Sequence, residues 1–430
     1  MDTDTIFALA TPSGTSGVAV IRVSGPQARQ TLLSLSQSAP SPRKAALATL
    51  RHPHTRDLID RGLVLWFPGP RSFTGEDVVE FQIHGGVALI KALTDALLAL
   101  NCRPAHRGEF SRRALDRGKM DLLDVEGLDQ LIRAQDEANL KLAQGQLGHQ
   151  WRQQFDMWRE MLARLQAACE ALIDFPDDDL PKDLLASNAQ ALKKLSEEAQ
   201  ALENRSALAQ SLHQGLEILI VGPPNAGKST LLNALAGYER AIVTAHPGTT
   251  RDFVELNLQL GPFQVTFVDT AGLRETKDVV EQQGVTRTKD RFKSAALILN
   301  LFDPNQTPQK IAATCPIWPV QTKGWIEKKR SIAAGDVGQA GVENLLIEIL
   351  DFLQETYGSI LNDISFQRER QLFHVKQFSK SLQEAQDLSL LPEMQAENLR
   401  QAASALAHLS GKIHVEEVLD ELFSGFCIGK

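Results

Sequence analysis

The chain has 430 residues, too many for one ordinary hydrophobic core, and length alone predicts about two to four domains. Composition is that of a globular protein, 43% hydrophobic and 23% charged, with no apolar run near the ~20 residues that span a bilayer. A net charge of −8 excludes a protein that grips nucleic acid alone by global electrostatics, because that binding depends on neutralising phosphates. Any nucleic acid is expected to be shared with a partner. The start, Met1-Asp2-Thr3-Asp4-Thr5, is acidic where a presequence would be basic, so the expected compartment is the cytoplasm, with no membrane contact. Cys102, Cys169, Cys315 and Cys427 lie far apart without a C-x-x-C, which fits neither a disulfide framework nor a zinc site.

In chain order, residues 1–117 carry strand-like runs at Val18 to Val23, Gly62 to Phe67 and Val78 to Ile83, separated by Gly, Pro and Ser. With a helix expected from Val87 to Leu100, this reads as an α+β domain. Between Arg103 and Lys119 six cations face only Glu109 and Asp116, giving either a solvated helix face or an anion site. From 118 to 212 the pattern is long and helical, broken at the acidic, proline-bounded stretch 174–181. Residues 213–353 alternate β and α, with strands expected at Ile218 to Val221, Phe263 to Val268 and Ala296 to Phe302; such alternation predicts a parallel sheet with helices on both faces. From 354 to 430 the chain is helical again, its last helix aligning Val415, Val418, Leu419, Leu422 and Phe423. The expected architecture is multidomain: an N-terminal α+β domain, a discontinuous all-α domain (118–212 and 354–430) and an inserted α/β nucleotide domain.

Chemistry concentrates in that insertion. Gly222-Pro223-Pro224-Asn225-Ala226-Gly227-Lys228-Ser229, followed by Thr230, stands between an apolar strand and a leucine-rich helix. It is a phosphate-binding loop: backbone N–H groups turn onto an anion, Lys228 reaches the terminal phosphates and Ser229 holds Mg²⁺. Asp269-Thr270-Ala271-Gly272 ends a strand, where Asp269 would hold Mg²⁺ through water and the Gly272 N–H would sense the γ-phosphate. Between them runs Thr244-Ala245-His246-Pro247-Gly248-Thr249-Thr250-Arg251-Asp252, whose Thr250 could add a second Mg²⁺ ligand. Together these read as a GTPase switch. The position that in some GTPases carries a water-orienting glutamine is Leu273 here, so the water must be positioned by another group, Glu275 or Glu281. Transition-state charge would be offset either by Arg251 or Arg274, or by a monovalent cation held by Asn225 and switch-loop carbonyls.

These motifs, with Arg22-Val23-Ser24-Gly25, Phe73-Thr74-Gly75-Glu76-Asp77, His84-Gly85-Gly86, Arg107-Gly108-Glu109-Phe110-Ser111 and the terminal Phe426-Cys427-Ile428-Gly429-Lys430, resemble the MnmE (TrmE) family of tRNA-modification GTPases over the whole length. The resemblance implies a homodimer built on an N-terminal domain that binds 5-formyl- or methylene-tetrahydrofolate through Arg22, Glu80, Lys119 and Lys430. It implies K⁺ held by Asn225, Thr244, His246 and Thr249, with Glu281 orienting water. It also implies an FAD-containing partner of MnmG type, in a heterotetramer, with which the family installs an aminomethyl-type group on C5 of the wobble uridine of certain tRNAs, and a redox or nucleophilic role for Cys427.

The chain departs from the pattern at guanine recognition, where an N-K-x-D is replaced by Thr322-Lys323-Gly324-Trp325. Losing a charge-assisted bidentate contact costs about 1.5–3 kcal/mol, so weakened guanine preference is expected. Pro316 and Pro319 suit an edge strand, and Arg117 stands where relatives usually carry Asn. Two other readings are a GTPase switch or assembly factor without modification chemistry, and a folate-dependent protein with weakened guanine specificity.

Overall fold

The computed structural model describes residues 4–147, 150–174, 182–237, 241–242, 255–269, 291–292, 295–302, 307–321, 339–387, 389, 391–411, 419, 422–426 and 429. The chain divides into two compact units, 1–129 with 407–430, and 130–406.

In the first unit a six-stranded sheet has the order β3-β4-β5-β2-β1-β6. Its strands are β1 (Ile6–Leu9), β2 (Ser16–Ser24), β3 (Ala46–Arg51), β4 (Leu58–Phe67), β5 (Val78–Gly85) and β6 (Arg103–Pro104). The three expected strands are β2, β4 and β5. Strands β1, β3 and β6 are additional, and all three lie toward the margins of the sheet, where short segments carry little periodicity. Alternation along β5 sorts its side chains: Val79, Phe81 and Ile83 are buried beneath α1 (Ala28–Ser36) and α2 (Val87–Leu98), while Glu80 takes the opposite face. On β2, Ile21 and Val23 join that core and Arg22 points away from it. Helix α3 (Glu109–Asp116) contributes Phe110 to a second cluster with Ile6, Ala8 and Ala105. At the C-terminal end Leu419, Leu422 and Phe423 pack with Leu122, Val125 and Phe426, as the apolar stripe predicts; Val415 and Val418 lie outside the described residues.

In the second unit the sheet order is β12-β11-β7-β10-β9-β8. Strands β7 (Leu216–Val221), β10 (Phe263–Asp269), β11 (Leu297–Phe302) and β12 (Ile317–Gln321) are parallel, as the alternation predicts. The sheet is nevertheless mixed, because β9 (Glu255–Leu260) runs antiparallel to both its neighbours, β10 and β8 (Ala241–Ile242). Strand β7 is apolar throughout except Glu217, as a strand covered on both faces must be: Ile218 and Ile220 enter one core, Leu219 and Val221 another. Strand β12, with Pro319, ends the sheet among the described residues.

Long helices α6 (Gln150–Asp174) and α7 (Lys182–Gln214) belong to the same unit, and Phe155 packs its ring between Trp151 and Trp158 and against Phe366. Core residues of the nucleotide sheet continue into Ala138, Leu142, Ala209 and Leu212. Among the described residues no helix is long and apolar enough to cross a membrane. Cys102, Cys169 and Cys315 are free thiols, each with its pKa pushed up by burial.

Candidate functional site

The phosphate-binding loop lies where β7 hands over to helix α8 (Lys228–Ala236). Asn225 and Gly227 both adopt left-handed backbone, φ +63° and +88°, the turn geometry that aims successive N–H groups at one point. Gly222 opens the loop against β11, where an added Cβ would meet the Leu301 carbonyl oxygen at 2.5 Å. Lys228 is 8% exposed and its ammonium donates to the carbonyls of Gly222 (2.9 Å) and Pro223 (3.0 Å). That holds the charge across the mouth of the loop. Asn225, Ser229 and Thr230 are exposed, whereas Ala226 is buried in the sheet core.

Asp269 ends β10 opposite Ile220 of β7, two residues before Gly222, and is buried. The topology thus brings this carboxylate to the same end of the sheet as the loop. A hydroxyl and a carboxylate there are the hard oxygen donors that Mg²⁺ takes. Thr244, Ala245, His246, Pro247, Gly248, Thr249, Thr250, Thr270, Ala271, Gly272, Glu281, Thr322, Lys323 and Trp325 lie outside the described residues, as do Arg251, Arg274 and Glu275.

A second constellation sits on the face of the N-terminal sheet opposite α1 and α2, where α3 contributes Phe110. Arg22 and Glu80 are cross-strand partners, and the Arg22 guanidinium gives two hydrogen bonds to Glu80 Oε1 (3.0 and 2.8 Å). The same guanidinium lies 5.9 Å from the ring centres of Phe73 and Phe110. It also donates to the Gly429 carbonyl at 3.4 Å. Gly429 is in left-handed backbone, φ +100°, and a Cβ there would meet the Leu9 carbonyl oxygen at 2.5 Å. Glycine is therefore what lets the C-terminal tail lie against β1, beside Arg22. Lys119 is exposed, its stem near Gly75. Lys430 and Cys427 are outside the described residues.

In the basic segment three of the six cations, Arg103, Arg113 and Arg117, meet neither expectation, while Arg107 and Lys119 are exposed as on a solvated face. Arg113 is 1% exposed, with side-chain contacts to Asp4 (2.7 Å), Glu76 (3.2 Å) and Glu109 (3.0 Å). Arg103 pairs with Glu109 at 2.5 Å and with Asp4, and Arg117 with Glu76 at 2.6 Å. Sequence distance hid this: Asp4 and Glu76 arrive from far along the chain to neutralise cations that look unopposed locally. Ser24 Oγ adds a hydrogen bond to Glu76 Oε2 at 2.7 Å. Burial alone would raise the pKa of Asp4 and Glu109, but hydrogen bonds from Arg103 and Arg113 outweigh it and hold both carboxyls below their ordinary values. Arg103, Arg113 and Arg117 are thus structural cations. Of the residues that local reading passes over, Glu76 stood inside Phe73-Thr74-Gly75-Glu76-Asp77, but nothing in its spacing marks Arg113 as its partner.

Known proteins resemble the chain over its whole length. Residues 5–119 match the family described as GTP-binding protein TrmE N-terminus, and residues 122–427 match the MnmE helical domain. The tRNA modification GTPase MnmE of Azorhizobium caulinodans is 44% identical over 436 residues, covering 99% of each chain. Its namesakes from Rhodopseudomonas palustris strain BisB5 and Caulobacter vibrioides are each 41% identical, covering 99% of both chains in the first case and 100% of both in the second. Two family matches that together span nearly the whole chain, and relatives of equal length, lead to one conclusion: the chain belongs to the MnmE family of tRNA modification GTPases.

Proposed function

We propose that this GTPase couples K⁺-dependent GTP hydrolysis to modification of the wobble uridine of certain tRNAs at C5, using a tetrahydrofolate one-carbon unit and an FAD-containing partner of MnmG type. The observation that carries the reading is Lys228, an ammonium held across the mouth of the phosphate loop at the sheet end where Asp269 lies. Lys228 supplies positive charge to the terminal phosphates, Ser229 and Asp269 with Thr250 hold Mg²⁺, and Glu281 orients the attacking water. Asn225, with Thr244, His246 and Thr249, holds K⁺, which offsets charge on the transferring phosphoryl group.

For the folate, Arg22, Glu80, Lys119 and Lys430 form the proposed contacts. Both hydrogen bonds of the Arg22–Glu80 pair fall on Oε1, which leaves Oε2 to accept from the donor edge of a pterin, and the Gly429 carbonyl lies beside that pair. Residues 1–117 are the proposed folate-binding and dimerisation domain, 118–212 and 354–430 the helical domain, and 213–353 the GTPase domain. Cys427 is proposed as the reactive thiol. A homodimer, joined by the partner in a heterotetramer in the cytoplasm, completes the reading, and a partner's share of the tRNA grip suits the −8 charge.

The test is hydrolysis of GTP in potassium against sodium. Stimulation by K⁺ of at least tenfold is expected, and Asn225→Ala should abolish it while leaving the sodium rate unchanged. No stimulation returns the charge-offsetting task to Arg251 or Arg274, and stimulation that survives Asn225→Ala removes Asn225 from the K⁺ ligands. The Trp325 departure adds a specificity expectation: GTP should be favoured over ATP by far less than a thousandfold in kcat/KM. A preference above a thousandfold shows that another residue reads guanine.

A further inference from the structure

The sheet face that carries Arg22 and Glu80 continues past them in two further rows. Side chains alternate between faces along a strand, so Gln82 and His84 share the face of Glu80 while Phe81 and Ile83 enter the core. The registers set Val20 of β2 and Leu63 of β4 on either side of Gln82. Two residues before Leu63 stands Arg61, paired with the exposed Thr49 of β3 and so on the same face, at the end where His84 lies. The chemistry therefore changes in order along the face: an ion pair, a largely apolar row, then cationic groups. From Glu80 to His84 the extended strand covers roughly 13 Å.

The last row differs from the cations of α3. Arg113 and Arg117 are taken up by buried acids, whereas Arg61 is exposed and its guanidinium has no ionic partner among the described residues. Beside it, Asp60 organises His84. The Asp60 carboxylate accepts the His84 backbone N–H at 2.8 Å and the Arg61 backbone N–H at 2.7 Å, and lies 3.0 Å from His84 Nδ1. Burial alone would raise the Asp60 pKa, but hydrogen bonds from His84 and Arg61 outweigh it and hold the carboxyl below its ordinary value. The Asp60 side chain is 10% exposed and that of His84 71% exposed. Asp60 thus fixes the ring from below and leaves Nε2 on the open side.

We propose that this row is the subsite for the glutamate tail of the folate, with Arg61 and His84 taking its carboxylates. The proposal deepens the folate reading and rests on it. A reduced folate presents the same sequence of chemistry as the face: a polar pterin edge, a p-aminobenzoyl ring, then a glutamate with two carboxylates. Lys119 lies beside Gly75, before the start of β5, and the rings of Phe73 and Phe110 lie near Arg22, so the groups that suit the pterin gather at that end. The rest of an extended ligand then runs along β5 toward His84. Val20 and Leu63 form an apolar bed for the aminobenzoyl ring midway. At the far end the planar fork of Arg61 matches a carboxylate, and His84, whose ring nitrogens both donate in the imidazolium form, takes the second.

The experiment is equilibrium binding of the full-length protein to 5-formyl-tetrahydrofolate and to 5-formyl-tetrahydropteroate, which lacks the glutamate. The parent should bind the folate about tenfold more tightly, the gain from charge-assisted contacts at an exposed site. Arg61→Ala and His84→Ala should each narrow that gap by about threefold through the folate alone, leaving pteroate affinity unchanged, and Arg61→Lys should restore part of it. Melting temperatures should stay within about 2 °C of the parent's, because both side chains are exposed. Glu80→Gln should weaken both ligands alike. A parent that binds neither ligand overturns the folate reading and the tail subsite with it. Equal affinity for both ligands, or a gap that closes in Lys119→Ala and persists in Arg61→Ala, leaves the folate reading standing and overturns the tail subsite.

Discussion

Replacing Lys228 by alanine should lower GTP turnover by about 10²–10³-fold, the loss seen when one preorganised positive or hydrogen-bonding group is removed from a site of charge development. The structure shows why little else should change. Lys228 is buried but, among the described residues, bonds only to the carbonyls of Gly222 and Pro223, both in the loop itself. Its loss leaves those two acceptors less satisfied, at a cost of roughly 1–3 kcal/mol, small beside the interaction of the β7, β10 and β11 core beneath it. Steady-state phosphate release at saturating GTP, Mg²⁺ and K⁺ gives the turnover, and circular dichroism melting shows that the fold persists. A fall of less than tenfold with an intact melt would mean that Arg251 or Arg274 carries the charge on the phosphates.

The nucleotide side of the fold is legible in sequence because its signals are local. A near-continuous apolar strand, a glycine-bounded loop and a helix follow one another within about twenty residues, and Asp269 closes a strand whose alternation is plain from Phe263. Strands β9 and β8 escape that reading: Glu255–Leu260 does alternate, but it lies in the interval between two motifs that the βα alternation fills with helix. In the N-terminal unit Arg22 and Glu80 are fifty-eight positions apart, and only the β2–β5 register makes them neighbours. The same holds for Asp4, Glu76 and Arg113. Ionic partners carry no periodicity, so a cation's environment is set by topology, and the segment from Arg103 to Lys119 looks basic until the fold supplies its acids.

That network yields the largest expected effect on stability. Arg113→Met removes a cation that is 1% exposed while leaving the 5%-exposed side chain of Glu76 and the 10%-exposed side chain of Glu109 in place. Breaking a buried ion pair by deleting one partner costs about 3–5 kcal/mol when the other charge is left unmatched. For a unit of this size that corresponds to a melting temperature lower by roughly 6–20 °C; because Glu76 keeps Arg117 and Glu109 keeps Arg103, the loss belongs at the lower end of both ranges. Arg117→Met should cost much less, because that side chain is 30% exposed and solvent screens its contact with Glu76. Adding Glu76→Gln to Arg113→Met should recover part of the loss, since it removes a buried carboxylate left with only the partly exposed Arg117 as its cation; a double-mutant cycle with no coupling would show that Arg113 acts by packing alone. The pH dependence follows from the carboxyls. Asp4 and Glu109 have folded pKa values below their ordinary ones, so their contribution to stability is complete above the unfolded-state values of about 4 and is lost as pH falls through the lower folded values. The parent should therefore lose stability steeply below about pH 4. In Arg113→Met a main cause of the depression is gone, so the two melting curves, measured from pH 7 to pH 3, should converge as the pH falls.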